Sequence, residues 1–317
     1  MMDNRDEDDQ RITRRVALMG GAAVSALAAL SASGIAGATP LSTVERDNMS
    51  TNTQRLPVVF LPHGGGPFSY VDMGLPASEV EGLAAYWRSV GNLPATKPKA
   101  LLVISAHWEE RVPTVMTAQQ PPIYYDYYNF PSAAYEIKWP APGSPSLGRR
   151  VRHLLGEAGF QTAEDAERGF DHGTFIPLGR AFPNADIPTA QLSLKAGLSP
   201  SEHLAMGRAL APLRDEGVFI LGSGMSYHNM RAFSSKAADA EAESFDAWLH
   251  KTVALPPSER DASLVRWEAA PSARSVHPRE EHLLPLMVVA GAAGDDAAIV
   301  PYSGKVFGKR ISGVQFG

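Results

Sequence analysis

Cysteine is absent from all 317 residues of the chain. Without thiols the protein has no disulfide, no thiolate metal site, no iron–sulfur cluster and no cysteine nucleophile. Any metal must therefore be held by histidine, aspartate, glutamate or water. The chain also lacks clusters of lysine and arginine, and its net charge is −5 at pH 7 with neutral histidines. This balance argues against nucleic acid as a partner.

Internal repeats and linkers rich in Ser, Gly or Pro are absent from the body of the chain. The composition is 44% hydrophobic and 20% charged, which is typical of a globular protein with a substantial core. We therefore expect one domain, spanning residues 55–317.

The first 38 residues resemble an export signal. Arg14 and Arg15 precede an uncharged stretch rich in Ala and Gly at 20–37, a pattern typical of twin-arginine signals. Residues 36–38 offer an A-x-A cleavage site, and the stretch is weakly apolar for a membrane-spanning helix. We expect cleavage after residue 38, a flexible lead-in at 39–54, and a periplasmic protein with no stable membrane anchor. An uncleaved anchor or a disordered tail is the alternative.

Three apolar runs stop at, or shortly before, a histidine. Residues 57–62 precede His63, residues 100–104 precede His107, and residues 217–221 precede His228. Short runs rich in Val and Ile and bounded by Gly or Pro are typical of buried parallel strands. Ligands bind outside the carboxyl ends of such strands. Since imidazole is a common ligand of transition metals, we expect a metal site at that edge of the sheet.

Apolar periodicity also predicts a set of helices between the strands. It favours a further strand at 188–194, one or two closing strands at 299–316, and helices at 79–90, 146–159, 200–216, 237–253 and 278–293. Residues 121–145 carry too many prolines and aromatics for a long helix. The alternation predicts an α/β class, with a mostly parallel central sheet flanked by helices.

The remaining histidines fall into different settings. His172 lies on an irregular stretch, where catalytic groups tend to occur. His282 falls in the first turns of the helix predicted at 278–293, near the site if that helix packs there. His277 lies in a loop and could be buried or solvated. Three others are expected to be solvated on helices: His153, His203 and His250.

Two motifs test rival chemistries. Gly64, Gly65 and Gly66 let the backbone bend tightly and approach a ligand, but no Lys-Ser/Thr follows them as in a phosphate loop. Ser223 lies between two glycines after a strand. That arrangement is not the G-x-S-x-G elbow of serine hydrolases, so a metal site is the stronger interpretation.

Taken in order, six motifs resemble the class III extradiol ring-cleavage dioxygenases, and more narrowly their DOPA 4,5-dioxygenase branch. The motifs are His-Gly-Gly-Gly-Pro (63–67), Ser-Ala-His-Trp (105–108), Pro-Ala-Pro-Gly-Ser-Pro (140–145), Gly-Phe-Asp-His-Gly-Thr-Phe (169–175), Gly-Ser-Gly-Met-Ser-Tyr-His-Asn (222–229) and Glu-His-Leu-Leu-Pro-Leu (281–286). The resemblance runs from about Leu56 to the C-terminus.

The resemblance implies a mononuclear non-haem Fe(II) enzyme that opens a catechol ring beside its two hydroxyls with O₂. Bacterial members are also described with zinc. It assigns His172 as the acid–base residue and the following metal ligands: His63, His107, His228 and His282. The wider superfamily uses two histidines and one carboxylate. Whether all four histidines bind the metal, one of them contacts only substrate, or Glu281 takes part stays open.

A small catechol-type substrate, DOPA-like or related, is the partner that the resemblance implies together with O₂. The aromatic segment forms either a wall on which the ring stacks or a structural patch; its members are Tyr124, Tyr125, Tyr127, Tyr128 and Phe130. The competing hypothesis is a zinc-binding relative of the same fold that acts as a binding module or hydrolytic centre. Zinc is redox-inactive and would not support ring opening.

Overall fold

The computed structural model describes residues 55–317, so the expected export signal and lead-in lie outside the described residues. Eight strands form one sheet in the order β4-β3-β5-β2-β6-β1-β8-β7. They are β1 (Val58–Pro62), β2 (Ala100–Glu110), β3 (Thr114–Met116), β4 (Ala163–Asp165), β5 (Thr189–Lys195), β6 (Val218–Gly224), β7 (Ala298–Val306) and β8 (Lys309–Phe316).

Helices flank this sheet. They are α1 (Ala77–Gly91), α2 (Pro145–Glu157), α3 (His172–Ala181), α4 (Pro200–Leu210), α5 (Ala237–Val253), α6 (Pro257–Val265), α7 (Ala273–Val276) and α8 (Leu284–Ala293), with short 3₁₀ helices at Ser132–Tyr135, Ala211–Arg214 and Trp267–Ala269. Within 55–317, no helix combines the length and apolar character needed to cross a bilayer.

The centre of the sheet is parallel. Strand β2 pairs in parallel with both β5 and β6, and β6 pairs in parallel with β1. Antiparallel pairs join β3 to β5, β1 to β8 and β7 to β8. The expected single α/β domain with a mostly parallel sheet is therefore confirmed. Because β2, β6 and β1 are neighbours, the three apolar runs that precede histidines end at one edge.

Glycines at the end of β6 allow α8 and the turn before it to lie against the strand. A Cβ on Gly222 would come within 2.5 Å of the carbonyl oxygen of Pro285, and one on Gly224 would collide with the carbonyl oxygen of His282. The amide of Met225 donates to that same carbonyl at 2.9 Å. This backbone contact fixes His282 beside the carboxyl end of β6.

Two local predictions around the site are wrong. The helix expected at 278–293 begins only at Leu284, where Pro285 occupies its first turn. The amides of Leu283 and Leu284 donate to Glu280 at 2.8 and 3.1 Å, so His282 lies in a turn before the helix. His172 is on no irregular loop: it is the first residue of α3, whose first turn closes on the carbonyl of Asp171.

Other predicted boundaries also shift. Strand β2 continues six residues beyond 104, and His107 lies where its register with β5 slips between Ser105 and Glu109. Such bulges redirect side chains. The helix expected at 200–216 ends at Leu210, and Pro212 lies in the 3₁₀ turn that follows. The segment 299–316 forms two strands paired as a hairpin.

One prediction of a solvated histidine is wrong. His203 is fully buried. Burial is tolerated because both ring nitrogens are hydrogen-bonded: Nδ1 donates to Ser199 O at 2.8 Å, and Nε2 accepts from the Lys195 amide at 3.1 Å. His153 is exposed as expected, and His250 is half-buried. His277 is fully buried, with Nε2 donating to the Ser226 carbonyl at 3.1 Å.

Candidate metal centre

Three imidazole nitrogens meet beyond the carboxyl ends of the central strands. Nε2 of His107 lies 3.0 Å from Nε2 of His63 and 3.3 Å from Nε2 of His282. His63 follows β1 directly and is anchored by its amide to the carbonyl of Gly224 at 3.1 Å. Residues far apart in the chain therefore present the same ring atom to one point.

The hydrogen bonds of Ser223 fix the tautomer of His63. The Ser223 hydroxyl donates to the carbonyl oxygen of Gly173, which can only accept. Its oxygen must then accept from Nδ1 of His63, 3.0 Å away. A neutral His63 with its proton on Nδ1 has a free lone pair on Nε2, as a metal ligand requires.

Glu281 fixes the tautomer of His282 in the same way. Nδ1 of His282 lies 2.9 Å from Glu281 Oε1. Burial acts to raise the pKa of Glu281, but a hydrogen bond from His228 lowers it and the net pKa falls below the usual range. The ionised carboxylate accepts from Nδ1, so Nε2 of His282 also carries a lone pair.

The three nitrogens fit a metal ion and do not satisfy one another. His107 can donate at most one proton toward two neighbours whose facing nitrogens both carry lone pairs. Nitrogens held 2.1 Å from one metal at 90–109° lie about 3.0–3.4 Å apart, which matches the observed separations of 3.0 and 3.3 Å. Loss of solvation by burial lowers the pKa of each of the three rings well below the normal value, which keeps them neutral.

His228, the fourth candidate ligand, lies beside this group. Its ring stacks on His282 with centroids 3.3 Å apart and an interplanar angle of 17°. An imidazole lone pair lies in the plane of its ring. Because the two rings are stacked, a metal ion in the plane of His282 would lie out of the plane of His228. Its Nδ1 lies 3.2 Å from Glu281 Oε1, so His228 and His282 share one carboxylate while the His228 ring faces the cavity.

His172, the candidate acid–base residue, is held by Asp126. Oδ1 of Asp126 accepts from the His172 amide at 2.9 Å and from its Nδ1 at 2.8 Å. Burial acts to raise the pKa of Asp126, but the His172 hydrogen bond and charge lower it overall. The His172 ring centroid lies 4.0 Å from that of His107. The carboxylate leaves Nε2 of His172 free to accept a proton.

A cavity of about 520 Å³ opens beside the five histidines. Part of the aromatic segment forms its wall, since Tyr127, Tyr128 and Phe130 line it. Tyr124 and Tyr125 are absent from the lining; Tyr124 lies against the Arg168 guanidinium, and the Tyr125 hydroxyl donates to Ile137 O at 2.7 Å. Tyr124 and Tyr125 therefore fit the structural interpretation, whereas stacking of a substrate ring on the three lining residues stays a prediction.

The glycine motif forms the floor of the cavity. Gly64 and Gly66 adopt left-handed conformations, with φ of +76° and +52°. A Cβ on Gly64 would approach Phe68 to 2.8 Å, and one on Gly66 would approach Phe130 to 2.9 Å. Glycine is therefore required at both positions by the backbone conformation and by the packing of Phe68 and Phe130. Approach of this backbone to a ligand stays a prediction.

Sequence reasoning missed the roles of two residues. Asp126 lies among tyrosines and belongs to none of the recognised motifs, and the available signal is that it is the one acidic residue in residues 120–130. Ser223 was considered as a nucleophile, but its side chain is fully buried and its hydroxyl is bound to Gly173 and His63. The hydrolase interpretation loses its nucleophile, and the same serine instead orients His63, a candidate metal ligand.

The mostly parallel sheet and the three converging nitrogens at its carboxyl edge define the class of metal-dependent proteins with a three-histidine site. Within that class, residues 57–310 match the family described as the catalytic LigB subunit of aromatic ring-opening dioxygenase. The chain belongs to this family.

Several relatives carry names consistent with this. The chain is 39% identical over 242 residues to the 4,5-DOPA dioxygenase extradiol of Beta vulgaris, covering 75% of this chain and 87% of that protein. It is 32% identical over 271 residues to the protein of the same name from Escherichia coli (strain K12), covering 84% and 96%. A solved structure, the uncharacterized protein JW3007 from Escherichia coli K12, matches with a TM-score of 0.68 at 31% identity over 83% of this chain and all of that one.

Proposed function

We propose that this protein is an extradiol dioxygenase that opens a catechol ring with O₂ at a histidine-held Fe(II). One observation carries the proposal: three Nε2 atoms, two of them with lone pairs fixed by hydrogen bonds at Nδ1, converge at 3.0 and 3.3 Å beside an aromatic-walled cavity. Membership of an aromatic ring-opening family supports the same chemistry.

His63, His107 and His282 are the proposed ligands. Three protein ligands would leave the remaining coordination positions open. An iron ion held by these residues would supply a Lewis acid that lowers the pKa of the catechol and a redox centre for its reaction with O₂. The three ligands fix the site, and the cavity positions the ring next to it.

His172 is the proposed acid–base residue. Its Nε2 accepts a proton from a catechol hydroxyl and returns it later in the reaction, while Asp126 holds the ring and stabilises its charged form. The geometry resembles an Asp–His pair, with Asp126 Oδ1 2.8 Å from Nδ1. His228 is proposed to contact substrate, because its stacked ring lies outside the point shared by the ligands.

Metal content and turnover of single variants test these assignments. His63→Ala and His107→Ala should lose most bound metal, because each removes a ligand. His172→Ala and His228→Ala should retain metal, and His172→Ala should lose turnover by roughly a hundredfold or more. A metal-free His172→Ala or His228→Ala protein would move that residue into the ligand set.

The identity of the metal separates the oxygenase from the zinc-binding alternative. Nitrogen ligands bind Zn²⁺ at least as well as Fe²⁺, so purified protein is expected to carry some zinc. Zinc-loaded protein should bind a catechol and consume no O₂, whereas protein stripped and reloaded anaerobically with Fe²⁺ should consume O₂ and form a yellow ring-opened product. Equal turnover with zinc, or none with iron across several catechols, would contradict the dioxygenase proposal and favour a zinc-binding module.

A further inference from the structure

The cavity beyond the histidines is lined by apolar side chains. The members of this apolar end are Met73, Phe130, Met225, Met230, Phe233 and Phe307. Neither lysine nor arginine occurs among the lining residues of the described chain. A substituent on a catechol held at the histidines by its hydroxyls would extend into these surroundings.

The charged side chains nearest the apolar end of the cavity either pair with other residues or lie outside the lining. Asp126 is the one carboxylate in the lining, and it accepts two hydrogen bonds from His172. Arg231 follows the lining residue Met230, but its side chain is exposed and is not part of the lining. Arg279, close in sequence to His282, pairs with Glu109 and Glu281. No fixed cation in the described lining would pair with a substrate carboxylate.

Phe307 reinforces the apolar character at a conformational cost. It lies at the tip of the β7–β8 hairpin with φ of +52°, a left-handed conformation unfavourable for an aromatic residue. Its ring lies 5.3 Å from that of Phe233 and 6.4 Å from that of Phe68. These contacts hold the strained residue in place, so the hairpin tip contributes an aromatic wall where Asn or Gly would be the usual choice.

We infer that the site selects catechols whose ring substituent is apolar and uncharged, and that it discriminates against carboxylate or ammonium side chains. The inference rests on the proposed function. Each methylene buried against these side chains favours binding. A charge placed among them loses part of its water, because all of them except Met230 are buried or half-buried, and it gains no partner. An amino-acid side chain such as that of DOPA carries both unfavourable groups.

A matched substrate series tests the inference on the full, Fe²⁺-loaded chain. From catechol through 4-methyl-, 4-ethyl- and 4-propylcatechol, kcat/KM for O₂ uptake should rise about fourfold per carbon. The anionic 3-(3,4-dihydroxyphenyl)propanoate and the cationic dopamine have side chains of similar length. Their kcat/KM values should be roughly tenfold or more below that of 4-propylcatechol. A charged catechol that equals or exceeds 4-propylcatechol would overturn the inference.

Calorimetric measurement of catechol binding to zinc-loaded protein tests the selectivity independently of the proposed ring-opening reaction. The same order of Kd values for neutral, anionic and cationic catechols is expected there. Ring opening of charged catechols in preference to neutral ones would refute the selectivity and leave the dioxygenase function standing. A neutral preference in binding without O₂ uptake by any catechol would refute the function and leave the selectivity standing.

Variants at Met230, with a control at Arg231, locate the selectivity. Met230→Arg should raise kcat/KM for the propanoate relative to 4-propylcatechol by roughly tenfold, and Met230→Leu should keep the neutral preference. Arg231→Ala, outside the lining, should leave the neutral-to-anionic ratio unchanged. A drop in activity confined to the propanoate in Arg231→Ala would place that guanidinium in the site and contradict the inference.

Discussion

Ser223→Ala tests whether a buried hydroxyl controls metal binding through the tautomer of His63. The hydroxyl accepts from His63 Nδ1 at 3.0 Å and donates to the Gly173 carbonyl. Alanine removes the acceptor, and the His63 proton is then free to move to Nε2, the nitrogen that faces His107. The variant should therefore bind metal more weakly although every proposed ligand is still present.

The expected loss of metal affinity can be estimated from the hydrogen bond between Ser223 and His63. Losing such a partner costs about 10–100-fold in metal affinity, or about 1.4–2.7 kcal/mol. The metal-free protein should also lose about 1–3 kcal/mol of stability, because removal of the hydroxyl leaves a buried ring nitrogen of His63 and the buried Gly173 carbonyl without this partner. The effect on metal affinity distinguishes a positioning residue from one that acts on stability alone.

Ser193→Ala is the matched control. Ser193 is equally buried, on β5 of the same sheet, and accepts one hydrogen bond from the Thr114 amide at 2.9 Å. Zinc affinity is measured by competition with a chromophoric chelator, and stability by urea denaturation of metal-free protein. Both variants should be destabilised, but only Ser223→Ala should lose affinity. Wild-type zinc affinity in Ser223→Ala would refute the tautomer argument.

Three further predictions follow from other parts of the chain. Asp126→Asn should retain metal but lower O₂ uptake by roughly a hundredfold, and an unchanged rate would remove Asp126 from its role in orienting His172. Burial lowers the pKa of His277 to about 3, so the unfolded chain, with a His pKa of about 6.5, binds this proton first as the pH falls. His277 should thus lower the free energy of unfolding below pH 6.5, by about 1.4 kcal/mol per pH unit down to pH 3. His277→Gln should remove this part of the pH dependence, as measured by urea denaturation of metal-free protein at pH 5.5 and 4.5. The same pH dependence in variant and wild type would contradict the prediction. We also propose twin-arginine export to the periplasm: replacing Arg14 and Arg15 by Lys should leave unprocessed protein in the cytoplasm on immunoblots of cell fractions, whereas continued export and trimming near residue 38 would argue against that route.

Local sequence pattern was sufficient for much of the framework. The apolar runs before His63 and His107 correspond to β1 and the first part of β2, and the helix expected at 237–253 matches α5. These elements carry strong apolar patterns, so local propensity and burial agree. Strands β3 and β4 have three residues each, too few for any period to be recognised.

Boundaries near the site depended on contacts outside the local window. Pro278 and the glutamates after it favoured an early helix start, yet Pro285 and the Glu280 carbonyl delay the helix to Leu284. The slip of β2 at Ser105–Glu109 arises from pairing with β5, a strand about ninety residues away. No pattern in the immediate neighbourhood of His107 contains that information.

The sequence by itself determined which chemistry was available. The absence of cysteine left histidine and carboxylates as metal ligands, and apolar runs that end at histidines placed imidazoles at the carboxyl edge of a parallel sheet. The tertiary structure decided the role of each histidine. Three Nε2 atoms meet within hydrogen-bond distance, while His228 stacks on His282 and His172 turns to Asp126. Those assignments depend on ring orientation and on outer partners such as Ser223 and Glu281, which are set by packing between segments distant in the chain and have no local signature.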